Sequence, residues 1–186
     1  MKKVILFLCL SSTVFFTSCS KDDDSNTLEA DQSLIPGTWN VTSIKVTNGH
    51  STTSVGDQTI VSADYTTEGK DFDMQIVFKN DTEPNTYTSS GGYTAVITTT
   101  TLGQTTTQEE TTQGFIGEGE SEGEWSFESP NKIVFANDNY KDEFIITVLD
   151  ESTMKMEHNI DRTIENDFIG ATIHTSGTLF IELNKS

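Results

Sequence analysis

Apolar and polar residues alternate along most of this chain with the period of a half-buried strand. Phe72, Met74, Ile76 and Phe78 fall on one face, with Asp73, Gln75 and Lys79 on the other. Phe144, Ile146 and Val148 share a face, and after Asp150-Glu151-Ser152, a turn-like triplet, Met154, Met156 and Ile160 stand opposite Lys155, Glu157 and Asn159. Near the end, Ile173, Leu179, Ile181 and Leu183 have one parity, and Ile133-Val134-Phe135 is a short run behind Ser129-Pro130-Asn131. Helical periodicity is nearly absent. Asp161 to Ala171 is the one candidate for a short helix, because Ile164 and Phe168 are four residues apart, and it reads equally well as a strand pair. Eight to ten short strands with tight turns predict an all-β domain, an antiparallel barrel or a sandwich.

The middle of the chain departs from this alternation. Tyr93 to Thr112 is mostly threonine, a strand-favouring residue, around a turn at Leu102-Gly103-Gln104. A long hairpin with polar side chains on both faces near its tip is expected, projecting beyond the core. A disordered mucin-like segment is the alternative, although the stretch holds no proline.

The N-terminus follows other rules. Lys2 and Lys3 precede an apolar run from Val4 to Leu10, then small and polar residues up to Cys19, the three parts of a secretory signal. A membrane-spanning helix needs about 20 mostly apolar residues, and Ser11, Ser12 and Thr13 interrupt this run. Residues 1–18 are therefore read as a signal peptide, 19–33 as a polar tether without periodicity, and 34–186 as one folded domain opening at Leu34-Ile35-Pro36-Gly37.

Phe16-Thr17-Ser18-Cys19 resembles the lipobox of bacterial lipoproteins, and Lys21-Asp22-Asp23-Asp24 is similar to the acidic export tag of Bacteroidota lipoproteins. The resemblance implies that Cys19 is acylated and that the chain is held on the outer membrane, facing the medium. Each buried methylene contributes about 0.8 kcal/mol, and two or more acyl chains such as palmitate hold a protein stably. No other membrane-binding surface is then required.

Charge and cysteine count narrow the remaining options. The chain has 29 acidic and 11 basic side chains, a net charge of −18 that becomes −20 once Lys2 and Lys3 leave with the leader. Nucleic acid and anionic lipid both require a basic footprint, so neither is expected as a partner. Cys9 leaves with the leader and Cys19 is committed to lipid, so no disulfide or cysteine nucleophile is expected in the mature fold.

Gly37-Thr38-Trp39 resembles the Gly-x-Trp signature on the first strand of lipocalins and of lipocalin-like domains in Bacteroidota lipoproteins. The later order is also similar: Gly123-Glu124-Trp125-Ser126-Phe127, Lys132-Ile133-Val134-Phe135, Phe144 to Leu149, and Thr153-Met154-Lys155-Met156. The family implies an up-and-down barrel, its first tryptophan closing the bottom and its last strand pairing with the first. A barrel of about eight strands holds side chains or one small ligand. Trp39, Phe72, Met74, Phe78, Trp125, Phe127, Phe144, Met154 and Met156 would point inward, either as contacts for a small apolar or amphipathic ligand or as core filling.

Other chemistry is sparse. Glu118, Glu120, Glu122 and Glu124 recur at every second residue and form a weak calcium candidate, since same-face strand residues lie about 7 Å apart, too far to share one ion without a bend. A solvated strand face accounts for them equally. His50, in the turn-like Asn48-Gly49-His50, His158 and His174 lack the close spacing of a zinc site. No nucleophile elbow, phosphate loop or paired-carboxylate motif is present, so neither an enzyme nor a cofactor is expected. The rival to a ligand carrier is a surface module that meets a protein or glycan through its outer face, including the threonine hairpin.

Overall fold

The computed structural model describes residues 29–115, 122–137, 140–166 and 170–186. Within them, eleven antiparallel strands form one sheet: β1 (Gly37–Val55), β2 (Gln58–Lys70), β3 (Gln75–Lys79), β4 (Thr86–Ser90), β5 (Gly92–Thr101), β6 (Gln104–Gln113), β7 (Glu122–Ser129), β8 (Lys132–Ala136), β9 (Lys141–Leu149), β10 (Thr153–Asn166) and β11 (Ala171–Lys185). Eight of these close into a barrel in the order β1-β3-β4-β7-β8-β9-β10-β11, with β11 returning to pair with β1. That closing ladder runs from Trp39 opposite Lys185 to Val55 opposite Ala171, and it decides for a barrel over a sandwich.

The remaining strands extend one side of the barrel. On the edge of β1 away from β11, β3 takes Gly37 to Asn40 while β2 takes Lys45 to Val55, so the two lie end to end. Beyond β2 come β5 and then β6, giving a six-strand extension β6-β5-β2-β1-β11-β10 past the barrel wall. The fork is stitched by Asp73, whose N–H donates to Gly92 O at 3.0 Å and whose carboxylate accepts from Gly92 N–H at 2.6 Å.

The threonine stretch forms the expected hairpin, β5–β6, with an unbroken register from Gly92–Gln113 to Thr101–Gln104. Its turn residues Leu102 and Gly103 both have positive φ (51° and 78°), the backbone that matches the twist of a two-residue hairpin. The hairpin projects, with β6 exposed almost throughout, but it is the edge of the six-strand extension and not a lone arm.

Two local expectations change. Asn48-Gly49 is a bulge inside β1, where the register slips between Thr47 and His50 against β11 and between Val46 and Gly49 against β2. β1 therefore runs for 19 residues, far longer than the short strands expected. Asp161 to Ala171 takes the strand-pair alternative: it holds the end of β10 and the start of β11.

The inward positions fill the barrel. Trp39, Met74, Ile76, Phe78, Tyr87, Phe135, Phe144, Ile146, Met154, Met156 and Leu183 are all at most 2% exposed. Phe135 sits at the centre, with ring centroids of Phe78, Tyr87, Phe115 and Phe144 between 5.3 and 5.9 Å away. Edge-on and tilted contacts of this kind let large rings interlock. Polar tips find partners: Trp39 Nε1–H donates to Ile35 O at 2.8 Å, and Trp125 Nε1–H is shared between Lys79 O and Thr86 O.

Candidate functional site at the barrel mouth

The packed interior leaves an opening where the barrel meets the extension. A cleft of about 350 Å³ lies there, lined by Tyr65 from β2, Phe115, Asp142 and Phe144 from β9, His158, Ile160, Arg162 and Ile164 from β10, and Thr175 and Leu179 from β11. Strand parity explains the lining. Met154 and Met156 point into the barrel, and the same parity carries His158, Ile160, Arg162 and Ile164 onto the inner face of the extension. Thr175 and Leu179 share the parity of Ile181 and Leu183.

The apolar lining continues outward along the extension. Val61, Thr53, Ile173 and Ile164 stand opposite one another across four strands, and Val61 and Ile164 are largely exposed. Behind this row, Gly49 and Gly177 pass so closely that a Cβ on Gly177 would lie 3.2 Å from Gly49 Cα. Tyr65 lies over Gly49 and donates its hydroxyl to Ser176 O at 3.3 Å.

Two charges occupy inward positions. Asp142 alternates with Phe144 and Ile146 and is only 8% exposed, whereas the Arg162 side chain is 53% exposed. Arg162 Nη2 donates to both Asp142 oxygens, at 3.1 and 3.0 Å. Burial, and then the negative charge of Asp142, push the phenol of Tyr140 up from its ordinary value. Tyr140 in turn hydrogen-bonds the hydroxyl of the buried Tyr87.

The barrel wall is split at this point. β9 and β10 pair from Leu149–Met154 to Ile145–Glu157, and the ladder goes no further. The His158 ring fills the gap, with Nδ1–H donating to Glu143 O at 2.7 Å and the ring tilted against Phe144 at 4.9 Å. A groove of about 550 Å³ runs along the outside of the split, and Asp142, His158 and Arg162 line both it and the cleft. On the outer rim, Lys132 and Lys141 each pair with Glu128 and Glu143. These lysines hold the Glu143 carboxyl below its ordinary value, and the two glutamates raise Lys132.

The inward aromatic and methionine residues of the sequence lie mainly in the filled barrel. Trp39, Met74, Phe78, Trp125, Met154 and Met156 are buried core; Phe72 is half-buried and stacked on Tyr93, and Phe127 is half-buried against Trp125. Phe144 alone of the nine lines the cleft. Alternation marks Ile160 and Leu179 as strand-face positions and not as site residues. Tyr65, Phe115, Asp142 and Arg162 are not singled out by sequence pattern, although Asp142 and Arg162 carry a usable signal: a charge at an inward position of an alternating strand.

Cys19 lies outside the described residues, as do Glu118 and Glu120. Glu122 and Glu124 are exposed on β7, opposite Thr88 and Thr86. Among the described residues, no three His, Cys, Asp or Glu side chains are grouped to hold a metal ion. His50 and His174 lie on the outer face of the extension in cross-strand pairs, His50 Nδ1 2.7 Å from Asp64 and His174 Nε2 2.8 Å from Asp161. Ser62 Oγ is 3.4 Å from His50 Nε2, and of this trio only Asp64 borders a groove, an open one of about 610 Å³ shared with Asn48, Gly49, Tyr65, Thr66, Thr98 and Thr100. No helix among the described residues is long and apolar enough to cross a membrane. No protein-family model, curated protein or solved structure matches this chain.

Proposed function

We propose that the chain is a lipoprotein anchored through Cys19 to the outer membrane, and that its lipocalin-like barrel carries a small apolar or amphipathic ligand at the mouth. The carrying observation is the cleft of about 350 Å³, in which Phe115, Phe144, Ile160 and Leu179 present apolar surface beside a short polar rim. Sites of this kind are concave, mostly apolar and oriented by a few placed polar groups. Because the barrel itself is filled, the ligand rests on the core and not inside it. Trp39, Met74, Phe78, Trp125, Met154 and Met156 then serve as the rigid floor and scaffold of the site. No catalytic step belongs to this reading, and neither metal nor cofactor is needed.

Native mass spectrometry of protein purified from its own membrane tests the proposal: a non-covalent adduct in addition to the Cys19 acyl groups is expected. Ile160→Trp, which fills the cleft, should abolish that adduct while leaving the lipid in place. Wild-type protein carrying no adduct and taking up no apolar probe would overturn the reading.

A second reading rests on a different observation. The β5–β6 hairpin offers a long polar surface that contributes little to the core, suited to contact with a protein or glycan. Retention of every cell-surface interaction after trimming of the hairpin tip would remove that reading.

A further inference from the structure

We infer that the ligand at the mouth is an amphiphile with a cationic head, an ammonium or quaternary ammonium group, recognised by Asp142. This rests on the proposed carrier function and specifies its ligand class. Asp142 is an acid at an inward position, 8% exposed, and the one carboxylate of a cleft whose other polar side chains are Tyr65, His158, Arg162 and Thr175. A buried carboxylate requires a cation, because leaving one unpaired costs several kcal/mol. Arg162 now supplies it, but from a side chain that is 53% exposed and on a strand whose neighbouring ladder with β9 has already ended at Glu157. The buried member of the pair is fixed and the exposed member can swing outward. An incoming ammonium thus takes the place of the guanidinium at Asp142.

Two further observations select a cation over an anion. Tyr65, Phe115 and Phe144 line the same cleft as the carboxylate, and aromatic ring faces attract ammonium groups and repel carboxylates. The net charge of −18 draws cations towards the protein and disfavours anionic ligands. An anionic head would have to share Arg162 with Asp142, placing two carboxylates side by side in a partly dry cleft.

The test uses the full chain made without lipid by Cys19→Ser, and three soluble probes with the same tail: octylammonium, octanol and octanoate. Calorimetric titration at about 0.15 M salt screens charges beyond about 8 Å and leaves the local contact. Octylammonium is expected to bind one site about tenfold more tightly than octanol, a gap of about 1.4 kcal/mol, with octanoate weakest. Asp142→Asn should bring the amine down to the alcohol, whereas Arg162→Gln should tighten the amine by removing its competitor. Octanoate binding most tightly, or Arg162→Gln weakening the amine, would overturn the inference in favour of an anionic head. Equal binding of octanol and octylammonium would overturn it while leaving the carrier reading intact. Binding of none of the three would remove both.

Discussion

Lys185 and Trp39 face each other across the seam that closes the barrel, with the lysine Nζ 5.1 Å from the indole centroid. The same ammonium donates to Leu34 O at 2.7 Å, just before the strand that carries Trp39. One side chain from the last strand therefore ties down the entry of the first and caps its tryptophan. A cation–π contact contributes about 0.5–1 kcal/mol at a partly exposed site, and a charged hydrogen bond adds to it. Lys185→Met keeps the apolar stem and removes both, so a loss of about 1–2 kcal/mol in urea unfolding is expected.

Phe135 and Phe180 offer a contrast of equal chemistry in unequal surroundings. Phe135 is fully buried among four aromatic rings, whereas Phe180 is 39% exposed on β11. Phe135→Ala should cost about 3–5 kcal/mol, since the surrounding rings cannot collapse into the space. Phe180→Ala should stay within about 1 kcal/mol. Equal losses in denaturant midpoints would mean that the barrel is not packed around Phe135.

The crossing of Gly49 and Gly177 sets the position of the extension relative to the barrel. A Cβ on Gly49 would stand 2.5 Å from Tyr65 O, which is backbone and cannot move aside alone. Gly49→Ala should therefore destabilise by about 1–3 kcal/mol and shift β2 away from β1. Amide exchange should rise in β2 and β5, while β8 and β9 remain protected. Because Tyr65 also lines the cleft, ligand uptake should fall in the same variant.

Trimming the threonine hairpin should have the opposite character. Thr98 to Thr101 pair with Thr107 to Gln104 on one side and with Thr66 to Ala63 of β2 on the other. Ala63 to Tyr65 keep their partners on β1 when the tip is removed, and the tip itself covers little core. Replacing Thr98–Thr107 by Asn-Gly joins Ile97 to Gln108, which already face each other, through a two-residue turn. A change within about 0.5 kcal/mol in thermal or urea unfolding is expected. A larger loss would show that the tip supports the β2 edge.

These cases also show which features local pattern could reveal. The Leu102-Gly103 turn was legible because both its chemistry and its flanking strands are local. Asn48-Gly49 has the same turn chemistry, yet it forms a bulge, since positive φ and a missing Cβ serve both outcomes. Only the partners across the sheet, Tyr65 and Gly177, decide between them. Alternation likewise marked Phe144 and Met156 as inward, but it could not show whether inward means packed core or cleft lining. That difference depends on where the β9–β10 ladder ends. The Asp142–Arg162 pair spans 20 residues and forms at that split, so neither residue alone announces the site.

Asp150 provides a pH-dependent test of the β9–β10 connection that frames the split. Its Oδ1 accepts from the Ser152 and Thr153 amides at 2.8 Å and from the Ser152 hydroxyl at 2.9 Å. These bonds, the Ser152 amide first, hold its carboxyl below the ordinary value of 3.8. A depressed folded-state value means that the stabilisation is fully present above the unfolded value and disappears as pH falls through the folded one. Asp150→Asn accepts hydrogen bonds without a titrating charge, so it should be less stable than wild type at neutral pH. That difference should shrink as the pH drops below 3.8, because wild type then loses the charge that the variant never had. Urea midpoints of both proteins across this range measure the gap directly, and subtracting them removes the parallel contribution of Glu143, whose value is lowered as well. A gap that stays constant with pH would show that the turn is held by its geometry and not by the carboxylate charge.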